Sequence, residues 1–275
     1  MTIPTNSDTL VPGFDYFRCS VFSDFEDVAH TLWKAHGTGP VTPVKGDHGY
    51  GVGIAIPTQD RGTLHVLPPG QQAHPSVRVS GWPTDAVVCT LRESFPEGQA
   101  SRVDARVDFV GDLTDWTDVL VEYAQHHRMR HAAYYVGQNS TGVELGAGKS
   151  ESRTRCYDAD LKHPGEFTGP TSRLEHEWKP QTRERKLLAY SLDAPTVLGT
   201  SRAASVALAS LAGVVLPAAP ARTERTSDFI GWLHHINRQA DRVAQLLEYA
   251  QGDMALAMSW ILDPSLAVEV VDAVA

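Results

Sequence analysis

The chain has 275 residues, of which 42% are hydrophobic and 21% are charged, so it is long enough for one large domain or two small ones with a packed core. Its formal net charge of −9 provides no overall attraction for nucleic-acid phosphates. The acidic excess is uneven, because residues 1–100 carry 10 acids and 6 bases whereas residues 128–186 carry 11 bases and 8 acids. Charge therefore neither excludes nor predicts a nucleic-acid partner.

The sequence gives no indication of a membrane segment or a secretion signal. The longest apolar run, SVALASLAGVVLPAA at 205–219, is too short to cross a bilayer and contains Pro217. The first residues lack a basic start followed by an apolar stretch. The three cysteines stand far apart, which argues against a zinc knuckle or a disulfide framework and for a reducing compartment. We expect a cytoplasmic protein with no membrane partner.

The predicted elements alternate between strands and helices over the first two thirds of the chain. Strands are indicated by alternating and β-branched residues at 15–22, 51–56, 62–67, 76–81, 102–111, 132–137, 141–146, 152–158 and 173–180. Helices are indicated by apolar residues at helical spacing at 24–36, 82–95 and 113–129. Beyond them the pattern is helical only, at 182–192, 201–216 and 228–250.

This order of elements predicts an α+β fold, in which an antiparallel sheet of about five or more strands with flanking helices is followed by a helical C-terminal region. We divide the chain into an N-terminal strand–helix segment (1–47), an α+β domain (48–200) and a helical region (201–275) that packs on this domain or mediates dimerisation. The amphipathic segment 228–250 is the candidate dimer surface, and packing on the sheet of the same chain is the alternative.

Two predicted strands carry several charged residues on one face. Asp104 and Asp108 share the polar face of RVDARVD, and Glu175 and Glu177 share a face of RLEHEW. A strand face of this kind is most often a solvated outer face. The alternative is a divalent-metal site, because Mg²⁺ and Mn²⁺ prefer oxygen ligands and neighbouring strands can bring carboxylates together.

The stretch SESRTRCYDAD, 150–160, places Arg153, Arg155 and Tyr157 on one face of a strand. A strand tyrosine most often packs in a core or at its rim. A phenol with a pKa of about 10 is a poor nucleophile unless cations or a metal stabilise the phenolate. Arginines on its own face and carboxylates nearby are what attack on a phosphodiester would require. Its surroundings therefore make Tyr157 a candidate nucleophile.

The segment GAGKS at 146–150 is similar to a phosphate-binding P-loop. Val143 stands where the first glycine of that motif is required, and the residues after Ser150 predict a strand rather than a helix. A glycine-rich hairpin turn is the better interpretation.

Taken in order, these motifs resemble the replication initiation factor family, the rolling-circle plasmid and phage initiators of the staphylococcal-plasmid class. The family's R-I/L-D-x-x-x-D strand is matched by RVDARVD, its glycine-rich hairpin and R-x-Y-D/E-K strand by GAGKSESRTRCYD, and its R-x-E strand by RLEHEW. The matches span residues 48–240. Ala159 stands where the family has the lysine after Tyr-Asp, and Lys162 follows further on.

The resemblance implies a metal-dependent endonuclease that nicks and religates one DNA strand at a double-stranded origin. Tyr157 would attack the phosphodiester, forming a 5′-phosphotyrosine link and releasing a 3′-hydroxyl. The other residues that the resemblance assigns are Asp104, Asp108 and Glu175 as ligands of Mg²⁺ or Mn²⁺, and Lys149, Arg155 and Arg173 as DNA phosphate contacts. The implied partners are an origin DNA with a hairpin, a second copy of the chain, and a host helicase and polymerase.

Two other functions stay open: a catalytically decayed DNA-binding relative of the initiators, and an acidic interaction protein that does not bind DNA. An exposed Tyr157 beside clustered carboxylates would favour the enzyme. A buried Tyr157, with the carboxylates on different faces, would contradict it.

Overall fold

One antiparallel sheet of ten strands organises the described part of the chain. The computed structural model describes residues 10–59, 62–110, 113–136, 139–146, 150–167 and 170–217. The chain divides into two units, 1–219 and 220–275, and all the described residues belong to the first.

The strands are, in chain order, β1 (Gly13–Val21), β2 (Thr42–Val44), β3 (Gly53–Ile56), β4 (Gly62–Leu67), β5 (Ser76–Gly81), β6 (Gly98–Phe109), β7 (His131–Val136), β8 (Asn139–Leu145), β9 (Ser152–Asp158) and β10 (Ser172–Trp178). The helices are α1 (Phe25–His36), α2 (Thr84–Ser94), α3 (Leu113–His126), α4 (Ala159–Lys162), α5 (Arg183–Ser191), α6 (Ala194–Gly199) and α7 (Arg202–Ala212). The spatial order of the sheet is β2-β3-β4-β5-β1-β6-β10-β9-β8-β7.

The apolar face of the sheet carries the hydrophobic core. On β6, the alternation of the sequence places Val103, Ala105 and Val107 on this face, and all three are fully buried. Leu174 on β10 and Cys156 on β9 continue the same core. Helix α2 packs on β1, α5 and α6 on β6, α7 on β10, and α3 on β8 and β9, so these helices supply the other side of the core.

The predicted fold class is confirmed, since an antiparallel sheet with flanking helices is present. Strands β4, β5 and β9 have the predicted bounds, and the other predicted elements shift by a few residues. Strand β2 and the short helices α4 and α6 were not predicted, because three to six residues are too few for a clear period. The segment 228–250 lies outside the described residues, and the division into three parts stays a prediction.

The described helices include none that is both long and apolar enough to cross a membrane. Cys19, Cys89 and Cys156 are all free thiols.

Candidate functional site

The second face of the sheet carries a network of ion pairs that falls into three groups. Its members come mainly from β1, β6, β9 and β10, the central strands of the sheet. The pairing register of these strands places the charged residues opposite one another. The cations are Arg18, Arg78, Arg102, Arg106, Arg153, Arg155, Lys162, Arg173 and Lys179, and the acids are Asp15, Asp47, Asp104, Asp108, Glu144, Glu175 and Glu177. The paired residues are nine cations and seven acids, although the chain as a whole is acidic.

Three carboxylates at the centre of this network are buried. Asp104, Glu175 and Glu177 are each only 1% exposed. The interpretation of these strands as a solvated outer face is therefore wrong for the carboxylates. They are buried because long arginine and lysine side chains lie over them. Arg102, for example, contacts both Asp104 and Glu177.

The three buried carboxylates converge on one guanidinium nitrogen. Nη2 of Arg155 donates a hydrogen bond to Oε1 of Glu175. The same atom lies 3.8 Å from Oδ2 of Asp104 and 3.9 Å from Oε2 of Glu177. This arrangement follows from the register, since Glu175 pairs with Arg155 and Glu177 pairs with Asp104 across neighbouring strands.

Asp108 belongs to a separate group at one end of the face. Arg173 donates from Nε to Oδ1 of Asp108 at 2.6 Å and from Nη1 to Oδ1 of Asp15, also at 2.6 Å. Arg106 donates to Oδ2 of Asp108 at 2.5 Å. Asp108 and Asp15 therefore pair with Arg106 and Arg173. Asp104 and Glu175 instead lie beside Arg155.

The Tyr157 side chain lies between these two groups and has no exposed surface. Its hydroxyl donates a hydrogen bond of 2.7 Å to Oε2 of Glu175 and accepts one of 2.8 Å from Nζ of Lys162. The Tyr134 ring lies 4.8 Å from the Tyr157 ring, centre to centre, at an angle of 30°. The Lys162 ammonium also lies 4.5 Å from the centre of the Tyr157 ring.

A short helix positions Lys162. Helix α4 starts directly after β9, because Asp158 caps it by accepting from the backbone N–H groups of Asp160 and Leu161 at 3.0 and 3.2 Å. One turn later the Lys162 side chain points back to the hydroxyl of Tyr157. Lys162 therefore brings an ammonium group to the tyrosine from five residues further along the chain, although Ala159 occupies the position of the expected lysine.

Burial and charge set the protonation of the site. Burial, and then the charge of Glu175, raise the pKa of the Tyr157 phenol well above its usual value. Burial by itself would raise the pKa of Glu175, but Arg155 and Lys162 outweigh it and lower that pKa to about 2. Burial also raises the pKa of Asp104, against the opposing effect of Arg102. The site thus holds a protonated phenol beside an ionised carboxylate.

The carboxylates, as they are arranged, do not fit a divalent cation. Within the described ranges, histidine, cysteine and acidic side chains form no group of three or more that could hold a metal ion. Asp104, Glu175 and Glu177 are all paired with arginine or lysine, which a metal ion would have to displace against charge repulsion. Binding of Mg²⁺ or Mn²⁺ after movement of these side chains stays a prediction.

The structure brings together Tyr157, Glu175, Asp104 and Arg155 of the predicted site, and it places Arg173 and Asp108 in the neighbouring group. Lys149 lies outside the described residues. Sequence reasoning did not assign Glu177 or Lys162 to the site. Glu177 shares the predicted polar face of β10 with Glu175, and that periodicity was the available signal.

The comparisons with known proteins are sparse. No protein-family model matches the chain, and no curated protein matches it. Among solved structures, the chain is similar to a rolling circle replication initiator protein from Geobacillus stearothermophilus, with a TM-score of 0.48 and 17% sequence identity over 70% of this chain and 83% of that one. A likeness of this extent establishes neither a shared family nor a shared activity.

Proposed function

We propose that the protein cleaves and rejoins a DNA strand with Tyr157 as the nucleophile, in the manner of a rolling-circle replication initiator. One observation carries the proposal: the Tyr157 hydroxyl is held between the carboxylate of Glu175 and the ammonium of Lys162. A nucleophilic hydroxyl needs a base to take its proton and a cation to stabilise the charge that develops. Both groups are in hydrogen-bond contact with this one oxygen.

The chemistry follows from these contacts. The incoming phosphate draws away Arg155 and Lys162, the two cations that lower the pKa of Glu175. Glu175 then takes the phenolic proton as the Tyr157 oxygen forms a bond to phosphorus. The bond from phosphorus to the 3′-oxygen breaks, and the leaving oxygen takes a proton from Lys162. The products are a 5′-phosphotyrosine link and a free 3′-hydroxyl, and the reverse sequence rejoins the strand.

Two arginines flank Tyr157 where the phosphate would bind. Arg173 is its cross-strand partner on β10, and Arg155 lies two residues before it on the same face of β9. Guanidinium groups match the geometry of phosphate oxygens and stabilise the extra negative charge of the transition state. Each arginine now pairs with a carboxylate, so an incoming phosphate exchanges one anionic partner for another.

Access to Tyr157 requires a local rearrangement. Its hydroxyl is covered by Lys162 and its ring is packed against Tyr134. Helix α4 has four residues and contains the half-exposed Leu161, so it is a small element to displace. We infer that binding of the DNA backbone draws Lys162 away from Glu175 and opens the site.

The finer features that the resemblance implies belong to the same proposal. They are recognition of a double-stranded origin with a hairpin, a homodimer, a host helicase and polymerase as partners, dependence on Mg²⁺ or Mn²⁺, and a cytoplasmic location.

The test is a nicking assay on supercoiled plasmid that carries the DNA flanking the gene, with Mn²⁺, with Mg²⁺ and with chelator. The protein is expected to produce nicked circles, and Tyr157→Phe is expected to abolish them. Tyr190→Phe is the matched control, because Tyr190 is also buried and its hydroxyl donates to the carbonyls of Leu91 and Phe95 on the opposite side of the sheet. Equal nicking by Tyr157→Phe and the unchanged protein would refute the assignment.

A DNA-binding relative without catalysis is the second candidate. The observation in its favour is that Tyr157 is fully buried and its pKa is raised, whereas a working nucleophile must reach the phosphate. Retention of the plasmid DNA without nicking, under all three metal conditions, would favour this candidate over the enzyme.

A further inference from the structure

Two aromatic side chains lie at the end of the charged face that holds Asp108. Trp82 follows β5 in the turn before α2, and 45% of its surface is exposed. Phe167 lies in the connection between α4 and β10 and is half-buried. Their ring centres are 6.5 Å apart and the rings are inclined by 52°. Segments distant in sequence therefore meet here to form one aromatic patch.

Each ring of the patch contacts an arginine of the ion-pair network. The guanidinium carbon of Arg106 lies 5.2 Å from the centre of the Trp82 ring, and that of Arg173 lies 5.9 Å from the centre of the Phe167 ring. Within the described residues, Nε of Arg106 has no hydrogen-bond acceptor, although the residue is 8% exposed. Oδ1 of Asp15 lies 3.6 Å from this nitrogen, beyond hydrogen-bond range. In the described part of the chain, Arg106 thus has a buried Nε without an acceptor beside the half-exposed ring of Trp82.

The patch is adjacent to the proposed nucleophile. Arg173, which contacts Phe167, is the cross-strand partner of Tyr157. Residues directly opposite each other in an antiparallel pair lie about 5 Å apart. A nucleotide next to a phosphate that Tyr157 and Arg173 hold is therefore close to the Phe167 ring.

We propose that Trp82 and Phe167 form a base-stacking site for single-stranded DNA, with Trp82 as the stacking surface, Phe167 as its support and Arg106 as a phosphate contact. An aromatic ring beside arginine side chains is the arrangement that holds unpaired bases, since every base has a π-face and every nucleotide carries a phosphate. A paired base inside a duplex does not offer this face. The proposal rests on the proposed function and specifies where the strand next to the cleaved bond is held.

The experiment measures binding of two fluorescent single strands of equal length by anisotropy: oligothymidylate, and an abasic strand with the same phosphates. Stacking on bases is sequence-tolerant, so the unknown origin sequence is not needed. The protein is expected to bind oligothymidylate about tenfold or more tightly than the abasic strand. Trp82→Ala is expected to remove this preference while keeping the affinity for the abasic strand, and Phe167→Ala to reduce it.

Trp33→Ala is the matched control. Trp33 is 44% exposed, which is close to the value for Trp82, but it lies on α1, whose buried residues pack in the core on the other face. This variant is expected to keep the preference for oligothymidylate. Circular dichroism of each variant verifies that it is folded.

Either of two results would overturn the proposal: no preference for oligothymidylate in the unchanged protein, or an undiminished preference in Trp82→Ala. Plasmid nicking measured in parallel separates this proposal from the proposed function. Nicking together with an undiminished preference in Trp82→Ala contradicts the stacking site alone. A preference that depends on Trp82, without nicking in the unchanged protein, supports the stacking site and contradicts the enzyme.

Discussion

The contact between Lys162 and the Tyr157 hydroxyl, at 2.8 Å, decides how the candidate site can work at the level of single residues. The alternation of residues in the sequences of β9 and β10 is enough to predict that Tyr157 and Arg155 share a face and that Glu175 lies on a charged one. It could not place Lys162, because that contact depends on the turn that α4 makes after β9. It also could not show that Asp104, rather than Asp108, joins Glu175, because the pairing register between β6 and β10 decides this.

Lys162→Met tests the role of the ammonium group. We expect nicking to fall by about 100-fold, the lower range for loss of a group that transfers a proton in the transition state. Lys162→Arg is expected to restore part of the rate because it keeps a cationic donor. The thermal midpoint is expected to change little, because Glu175 keeps its hydrogen bond from Arg155 and methionine keeps most of the apolar contacts of the lysine side chain. Unchanged nicking in Lys162→Met would exclude a catalytic role for this lysine.

At the level of elements, helix α4 is held at its start by the side chains of Asp158 and Asp160. The cap formed by Asp158 satisfies two backbone donors of a helix that has only four residues. A helix this short has little stability of its own, so the cap, the hydrogen bonds to the backbone of Thr171 and the packing of Ala159 fix its position. The position of Lys162 therefore depends on Asp158.

Asp158→Ala is expected to lower the nicking rate while costing only about 1 kcal/mol of unfolding free energy. The matched control is Asp193→Ala, which removes the cap of α6, where Asp193 accepts from the N–H of Thr196 at 2.9 Å. That variant is expected to lose similar stability, measured by urea unfolding, and to keep its nicking rate. Equal nicking rates for the two variants would contradict the role given to α4.

A buried polar cluster joins β9 and β10 to the end of α6 and the start of α7. His176 is fully buried, with Nδ1 3.2 Å from the Thr154 hydroxyl and Nε2 3.0 Å from the Thr200 hydroxyl. Ser201 shares a hydrogen bond of 2.7 Å with Thr154 and caps α7 through the N–H of Ala204. Burial lowers the pKa of His176 from 6.5 to about 4, so the ring is neutral at pH 7.

This cluster predicts a specific pH dependence of stability. Because the folded-state pKa of His176 is below its unfolded value, its contribution is complete above about pH 6.5 and is lost as the pH falls towards 4. From pH 7 to pH 4.5, urea unfolding should show that the unchanged protein loses about 2 kcal/mol more than His176→Gln, which does not titrate. Equal losses in the two proteins would show that His176 does not titrate as described.

At the level of the whole molecule, the distribution of charge matters more than its sum. The chain has a net charge of −9, yet the charged face of the sheet combines nine cations with seven acids. The local excess of bases in residues 128–186 already indicated an uneven distribution of charge. The sequence could not show that β1 and β6 add further arginines to the same face of the sheet. The α+β class followed from the order of elements. The central position of β1, between β5 and β6, did not, because strands distant in sequence pair there.

The most direct test of the central claim, that Tyr157 attacks DNA, is to locate the covalent link. Plasmid treated with the protein is denatured and digested with nuclease and trypsin, and the peptides are analysed by mass spectrometry. The account predicts a nucleotide on the tryptic peptide of residues 156–162, CYDADLK, and no such adduct in Tyr157→Phe. Nicked DNA with the nucleotide on another peptide, or with no protein attached, would contradict it.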